Sequence, residues 1–420
     1  MPSTGLSSSA HAADADAGRA DIVVGLISHN AAPTIGAVVR AAAQGLASFT
    51  GMSSRFVLSD EGSTDGTRQA ARAAAPPDAL VELEYERGPA FATLPYHGQP
   101  ARAAALRAVL QAARRLDARA CIVLDASQQH MRADWIAQLV APVLTDGLDY
   151  ISPVHIRHAN EGALTKGIVY PTFRAVYGVR LREPAASEFG CSARLVQYSL
   201  EQDFWDSELA PIGIDLWLAA AAASADFRIG EAMLGERGTR TAAADLSTTL
   251  AQVVGALFAD VERRVNVWQR VRSSVAIPVF GTSPPLTSNA PPLNVDALVD
   301  RFRLGYRELR EIWTWVLPPR TIVELRKLTD TPPDRLRFDD RLWAGIIYDF
   351  ALGYAFRAMP RDHLLRSLTP LYDGWLASFV LQTSTASTQQ VDERVEQLCL
   401  TFEAEKRHLI SRWRWPERLR

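Results

Sequence analysis

Residues 55–67 read Arg-Phe-Val-Leu-Ser-Asp-Glu-Gly-Ser-Thr-Asp-Gly-Thr. The apolar run Phe56-Val57-Leu58 ends in Asp60 and Glu61, breaks at the polar stretch from Gly62 to Gly66, and passes into an Ala/Arg-rich segment from Arg68 to Ala75. That order predicts a buried strand, a tight turn and a helix start. Ser63, Thr64 and Asp65 can each accept a hydrogen bond from the free N–H groups of a first helical turn. Strand–turn–helix is a common unit and fits a purely structural role. In an open α/β sheet, however, the carboxyl end of such a strand is where ligands gather.

Upstream, Ile22-Val23-Val24-Gly25-Leu26-Ile27-Ser28-His29-Asn30 predicts another buried strand, followed by a helix. Further on the alternation continues, with strands expected near 22–28, 55–60, 80–85 and 120–125 and helices near 33–47, 66–75, 100–116 and 133–144. Such alternation predicts an α/β fold: a mostly parallel sheet with helices on both faces. A less regular part follows, with a strand at Tyr150 to Pro153, helices near 163–177 and 192–200, an apolar helix from Ile212 to Ala223 and a strand near Phe227 to Gly230. Helical periodicity holds from Leu246 to Arg270, and Pro278 to Pro292 reads as an extended linker. The expected organisation is a disordered tail at 1–20, an α/β domain at 21–245, a helical connection at 246–277, a Pro-rich linker at 278–293 and a C-terminal helical region at 294–420. That last region carries Trp313, Trp315, Trp343, Tyr348, Phe350 and Trp375. Aromatics at helical spacing predict core or a subunit interface, and a homodimer through these helices is the expected assembly.

Of the 420 residues 48% are hydrophobic and the formal net charge is −2, which excludes nucleic acid as the main partner on charge grounds. Cys121, Cys191 and Cys399 are odd in number and widely spaced, arguing against a disulfide framework or a zinc site. No apolar window approaches the roughly 20 residues needed to span a bilayer. A cytoplasmic protein is the default expectation.

The 60–67 string closely resembles the nucleotide-binding segment of family-2-like glycosyltransferases of the glycosyltransferase-A fold, which carry similar Asp-x-Gly-Ser-Thr-Asp-Gly-Thr strings. The resemblance implies that Asp60, Glu61, Gly62, Ser63 and Asp65 hold the base and ribose of a nucleotide-sugar, with Ser28 and Asn30 contributing from the first strand. It also implies an Asp-x-Asp at the end of the fourth strand to hold Mg²⁺ or Mn²⁺. Here that place reads Asp125-Ala126-Ser127-Gln128. A hydroxyl is a poorer ligand for these hard cations than a carboxylate, so Asp125 is expected to bind metal weakly or dispensably. His130 is a further candidate ligand, or simply an exposed loop residue.

Over the whole chain the layout resembles the bacterial group related to glucosyl-3-phosphoglycerate and mannosylglycerate synthases, which are retaining enzymes. Where relatives carry a Gly-Lys-Gly loop, this chain has Gly98-Gln99-Pro100-Ala101-Arg102, so the resemblance assigns Arg102 to the pyrophosphate. Where relatives carry Gly-Gly-Asp or Gly-Gly-Glu, it has Ala186-Ser187-Glu188, which assigns Glu188 to the sugar and acceptor. Gly213-Ile214-Asp215 resembles the segment with an acid near the acceptor, although Asp215 also suits the N-terminal end of a helix. Lys166 and Tyr170 face the acceptor by the same analogy. The histidine ligand of relatives is missing after Leu234-Gly235, where Arg237 and Arg240 stand instead.

The sequence thus implies a glycosyltransferase, a hexosyltransferase that moves a sugar from a nucleoside-diphosphate-sugar to a small hydroxyl acceptor. The altered motifs keep open the alternative of a catalytically silent binding or regulatory protein.

Overall fold

The computed structural model describes residues 18–85, 95, 97–236, 245–282 and 293–413. The chain forms two compact units, one of Met1–Pro153, Ser187–Ile214 and Phe227–Ala232, the other of Val154–Ala186, Asp215–Asp226 and Met233–Arg420.

In chain order come β1 (Ile22–Ser28), α1 (Ala32–Leu46), β2 (Ser54–Asp60), α2 (Thr67–Ala74), β3 (Leu80–Glu82), α3 (Arg102–Arg115), β4 (Ala120–Asp125), α4 (Asp134–Thr145) and β5 (Tyr150–Ile156). A π-helical turn at Thr165–Val169 leads into α5 (Tyr170–Tyr177), and then come β6 (Phe189–Ser192), α6 (Ala193–Leu200), α7 (Ala210–Ser224) and β7 (Ile229–Glu236). The strand order of the eight-stranded sheet is β3-β2-β1-β4-β6-β5-β7-β8, with β8 the two residues Val279–Phe280. β1 pairs in parallel with both β2 and β4, and β2 with β3, whereas β6 runs antiparallel to β4 and β5.

The parallel strands bury both faces, which is why they read as continuous apolar runs. All seven residues of β1 and all six of β4 are buried. α1 packs with α2 and α4, while α3 packs with α6 and on β1, β2 and β4. Those two groups cover the two faces.

β6 is a strand that sequence reading omits, as it does the two-residue strand Val279–Phe280 inside the expected linker. Four residues long and containing Gly190, it shows too little periodicity to register. Gly190 is needed there, because a Cβ would lie 2.1 Å from the backbone oxygen of Leu139 in α4. Gly190→Ala is therefore expected to cost about 3 kcal/mol by forcing strand and helix apart. A urea titration checks this, and a loss within about 0.5 kcal/mol would show that the contact yields freely.

After α8 (Leu246–Arg263) and α9 (Val265–Trp268) come the two-residue β8 (Val279–Phe280) and the helices α10 (Val295–Trp313), α11 (Pro319–Thr329), α12 (Asp340–Ala355), α13 (Arg361–Ser367), α14 (Thr369–Thr383) and α15 (Thr388–Trp413). The second unit is built on packing of α10 with α14 and of α15 with α12 and α5. Of the six aromatics singled out in the sequence, five are interior and only Trp315 is exposed, at 70%. Trp343 and Trp375 stack at 5.4 Å between centroids, and the indole N–H of Trp343 donates to the Gly167 carbonyl at 2.8 Å. Their apolar surface is thus used inside the unit. Among the described residues, no helix is long and apolar enough to cross a membrane.

Candidate functional site

β1 and β2 pair in register, so Ser28 stands opposite Asp60 and both chains leave the sheet side by side. The Asp60 carboxylate, 2% exposed, accepts from Ser28 Oγ (2.9 Å), Ser63 Oγ (2.5 Å), Ser63 N (3.0 Å), Gly62 N (3.2 Å) and Arg68 Nε (3.1 Å). Burial pulls its acidity down, but the bonds from Ser63 and Ser28 more than offset that, and its pKa falls below the ordinary 3.8.

A second layer of bonds joins the two loops. Asn30 N donates to Ser63 Oγ at 2.8 Å, and Thr64 N donates back to Asn30 Oδ1 at 3.0 Å. Ala32 N donates to Asp65 Oδ2 at 3.0 Å, and Ala31 N to Thr67 Oγ1 at 2.8 Å. Asn30 sits at φ +47°, a left-handed conformation that asparagine tolerates better than most residues.

The capping expectation for α2 is corrected in part. Its N-cap is Gly66 at φ +89°, and of the three expected acceptors only Asp65 takes a bond from the helix start, at 3.1 Å from Thr67 N. Ser63 is occupied instead in bracing Asn30 and Asp60, because the β1 loop offers it a nearer N–H.

Behind this turn lies a set of buried charges. Glu61 is 4% exposed and its Oε2 accepts from Ala101 N at 2.7 Å, while Oε1 has no hydrogen-bond partner among the described residues. Burial pushes its pKa up to about 7, against the pull of the Ala101 N–H and the Arg102 charge; Asp125 and Asp60 add to the rise. Arg102, at the start of α3, is fully buried, with Nη1 donating to Gln99 Oε1 at 2.8 Å and Nη2 to Ser187 O at 2.6 Å. Asp125, at the end of β4, accepts through Oδ1 from Ser127 N (2.9 Å) and Ser127 Oγ (2.7 Å). Glu188, just before β6 and fully buried, accepts from Gln128 Nε2 at 2.5 Å and from its neighbour Ser187 Oγ at 3.2 Å.

The fold of the first unit therefore gathers Ser28, Asn30, Asp60, Glu61, Gly62, Ser63, Asp65, Arg102, Asp125 and Glu188 around the carboxyl ends of β1, β2 and β4. Gln128, Gln99 and Thr67 are partners that sequence reading gave no role. Their importance depends on which segments meet, and no local pattern reveals that.

Asp215 belongs to the second unit and is 3% exposed. α7 begins at Ala210, so Asp215 is the sixth residue of the helix and not its N-terminal charge. The helix-dipole reading fails on that count, since the effect fades within the first turn. Arg237 and Arg240 lie outside the described residues. In the same unit Lys166 and Tyr170 line a cavity of about 490 Å³, together with Arg157, Arg182, Glu183 and Asp392. The Lys166 ammonium donates to the carbonyls of His158 (2.9 Å) and Ala159 (3.1 Å), and burial lowers its pKa to about 8.

A divalent ion fits these residues poorly. Among the described residues no three His, Cys, Asp or Glu side chains come together as a metal-binding group, His130 is exposed, and Asp125 has Ser127 where a second carboxylate would stand.

Neither a scan of protein-family models nor a search of curated proteins gives a match. Among solved structures the chain is similar to glucosyl-3-phosphoglycerate synthase from Mycobacterium tuberculosis, crystallised with Mn²⁺, UDP and glucosyl-3-phosphoglycerate. The identity is 19% over 58% of this chain and 80% of that one, at a TM-score of 0.42. It is also similar to mannosyl-3-phosphoglycerate synthase from Rubrobacter xylanophilus, at 18% identity over 66% and 80% of the two chains and a TM-score of 0.41. A mannosyltransferase from Pyrobaculum calidifontis, solved with GDP-Man and Mn²⁺, aligns over 92% and 87% of the chains at 14% identity and a TM-score of 0.32. At likenesses of this size, function has to be argued from the residues of the site.

Proposed function

We propose that this protein is a glycosyltransferase that moves a sugar from a nucleoside-diphosphate-sugar to a small hydroxyl acceptor with retention of configuration. The observation that carries the reading is the buried charge cluster of Glu61, Arg102, Asp125 and Glu188, assembled beside the braced turn at the carboxyl ends of parallel strands. Buried ionisable groups at that place in an α/β sheet are costly to keep, and Glu61, whose pKa burial raises, marks a functional site there. The sequence resemblance at 60–67 supplies the reaction class, since a fold of this kind hosts many chemistries.

In this reading Ser28, Asn30, Asp60, Glu61, Gly62, Ser63 and Asp65 form the nucleoside cradle and Glu188 serves the sugar, while Asp215, on the second unit, is given to the acceptor by the sequence resemblance alone. Lys166 and Tyr170 bind the acceptor in their cavity. The leaving pyrophosphate needs its charge offset. The donor set around Asp125 does not fit a tightly held metal, so no step is assigned to one. The second reading, a silent protein that binds a nucleotide-sugar without turnover, is favoured by that same donor set.

Calorimetry with UDP-, GDP- and ADP-sugars, with and without Mn²⁺, tests the first reading, alongside assay of Glu188→Gln. Binding of one donor with turnover that Glu188→Gln abolishes is the expected result. Binding without turnover would select the silent protein, and no binding of any donor would overturn both.

A further inference from the structure

A phosphate-binding arginine keeps its planar fork open to the ligand. Arg102 is instead fully buried, and its two Nη groups donate to fixed protein oxygens, Nη1 to the Gln99 side-chain amide and Nη2 to the Ser187 backbone carbonyl. The Ser187 that it grips is covalently next to Glu188 and also donates to it at 3.2 Å. On the other side of the same short segment, Gln128 holds the second Glu188 oxygen at 2.5 Å. Ala101, one residue before Arg102, donates its N–H to Glu61 at 2.7 Å. Two consecutive residues at the start of α3 thus tie the braced turn, through Glu61, to the segment that carries Glu188.

We infer that Arg102 is a positioning residue: it fixes the Ser187–Glu188 backbone against α3 and so sets where the Glu188 carboxylate stands, and it does not itself meet a phosphate. A buried guanidinium is expensive unless its donors are satisfied, and the Gln99 and Ser187 oxygens each take one of them. The next residues, Phe189 to Ser192, form β6, whose pairing with β4 starts one residue after Glu188. Losing the Arg102 anchor frees the entry to that strand. The effect on turnover rests on the glycosyltransferase reading. The effect on backbone order does not.

The experiment compares wild type, Arg102→Lys and Arg102→Met by amide hydrogen exchange over 186–192, by affinity for UDP and for uridine, and by kcat and KM. A lysine keeps the charge but cannot hold two oxygens in the fork geometry. Both variants are therefore expected to lose protection at 187–190 by about tenfold or more. Both are also expected to lose kcat together, with UDP and uridine affinities shifting in parallel. Unchanged exchange at 187–190, turnover rescued by lysine, or a loss of UDP affinity without loss of uridine affinity would each overturn the inference. Should neither variant fold, Gln99→Ala removes one acceptor of the fork, and the same amides must then lose protection for the inference to stand. If wild type binds no nucleotide the proposed function fails, while the exchange result still decides the role of Arg102.

Discussion

Asp60→Ala is expected to lower the free energy of unfolding by about 4 kcal/mol, a large share of a domain's total stability. The carboxylate collects five donors from Ser28, Gly62, Ser63 and Arg68, three of them in the turn at 62–63 and one at the end of β1. An alanine leaves those donors without an acceptor in a place that water reaches poorly. Arg68 is itself partly exposed and returns to solvent, so its share is small. A carboxylate presented only to a ligand would behave in the opposite way, since removing a strained functional charge commonly stabilises a protein. Urea titration distinguishes the two, and a loss under about 1 kcal/mol would mean that the acid serves a ligand and not the turn. Because its folded pKa lies below the ordinary 3.8, the contribution is present above that pH and is lost as pH falls through the folded value. The difference between wild type and variant should accordingly shrink in acid.

The fold was legible where burial writes a continuous signal. Ile22–Ser28 and Ala120–Asp125 carry no polar side chain before their last residue because helices cover both faces, and their bounds could be read to the residue. Phe189–Ser192 was not legible, since its pairing is fixed by contact with β4 and by the closeness of Gly190 to α4. The sequence reading starts the helix of α7 at Ile212, after Pro211 and two residues late, which made Asp215 look terminal. The candidate site divides in the same way. The acidic turn at 60–65 announces itself, because strand, carboxylates and glycines are adjacent in the chain. That Ser63 braces Asn30, or that Gln128 holds Glu188 across 60 residues, depends on strand order and register. Those facts exist only in the folded chain.

Glu61→Gln is expected to stabilise the protein by about 3 kcal/mol at pH 8 and by less than about 1 kcal/mol at pH 5. The folded pKa of about 7 lies above the 4.5 of an exposed glutamate. Between those values the folded protein holds a proton that the unfolded chain has released. Stability therefore falls as pH rises from about 4.5 through about 7, and levels off once both states are ionised. Glutamine resembles the protonated acid in shape, keeps an oxygen for the Ala101 N–H and removes the buried charge. Urea titrations of both proteins at pH 5 and 8 measure the difference, and a gap that does not widen with pH would show that the carboxylate is already solvated. The same titration reaches function through the nucleoside cradle. Below pH 7 Glu61 can donate a hydrogen bond from Oε1, and above it the group only accepts. Any donor whose base or ribose offers a hydroxyl or amine to that oxygen should bind more tightly as pH rises through 7. The glutamine variant should lose that dependence while keeping its turn intact.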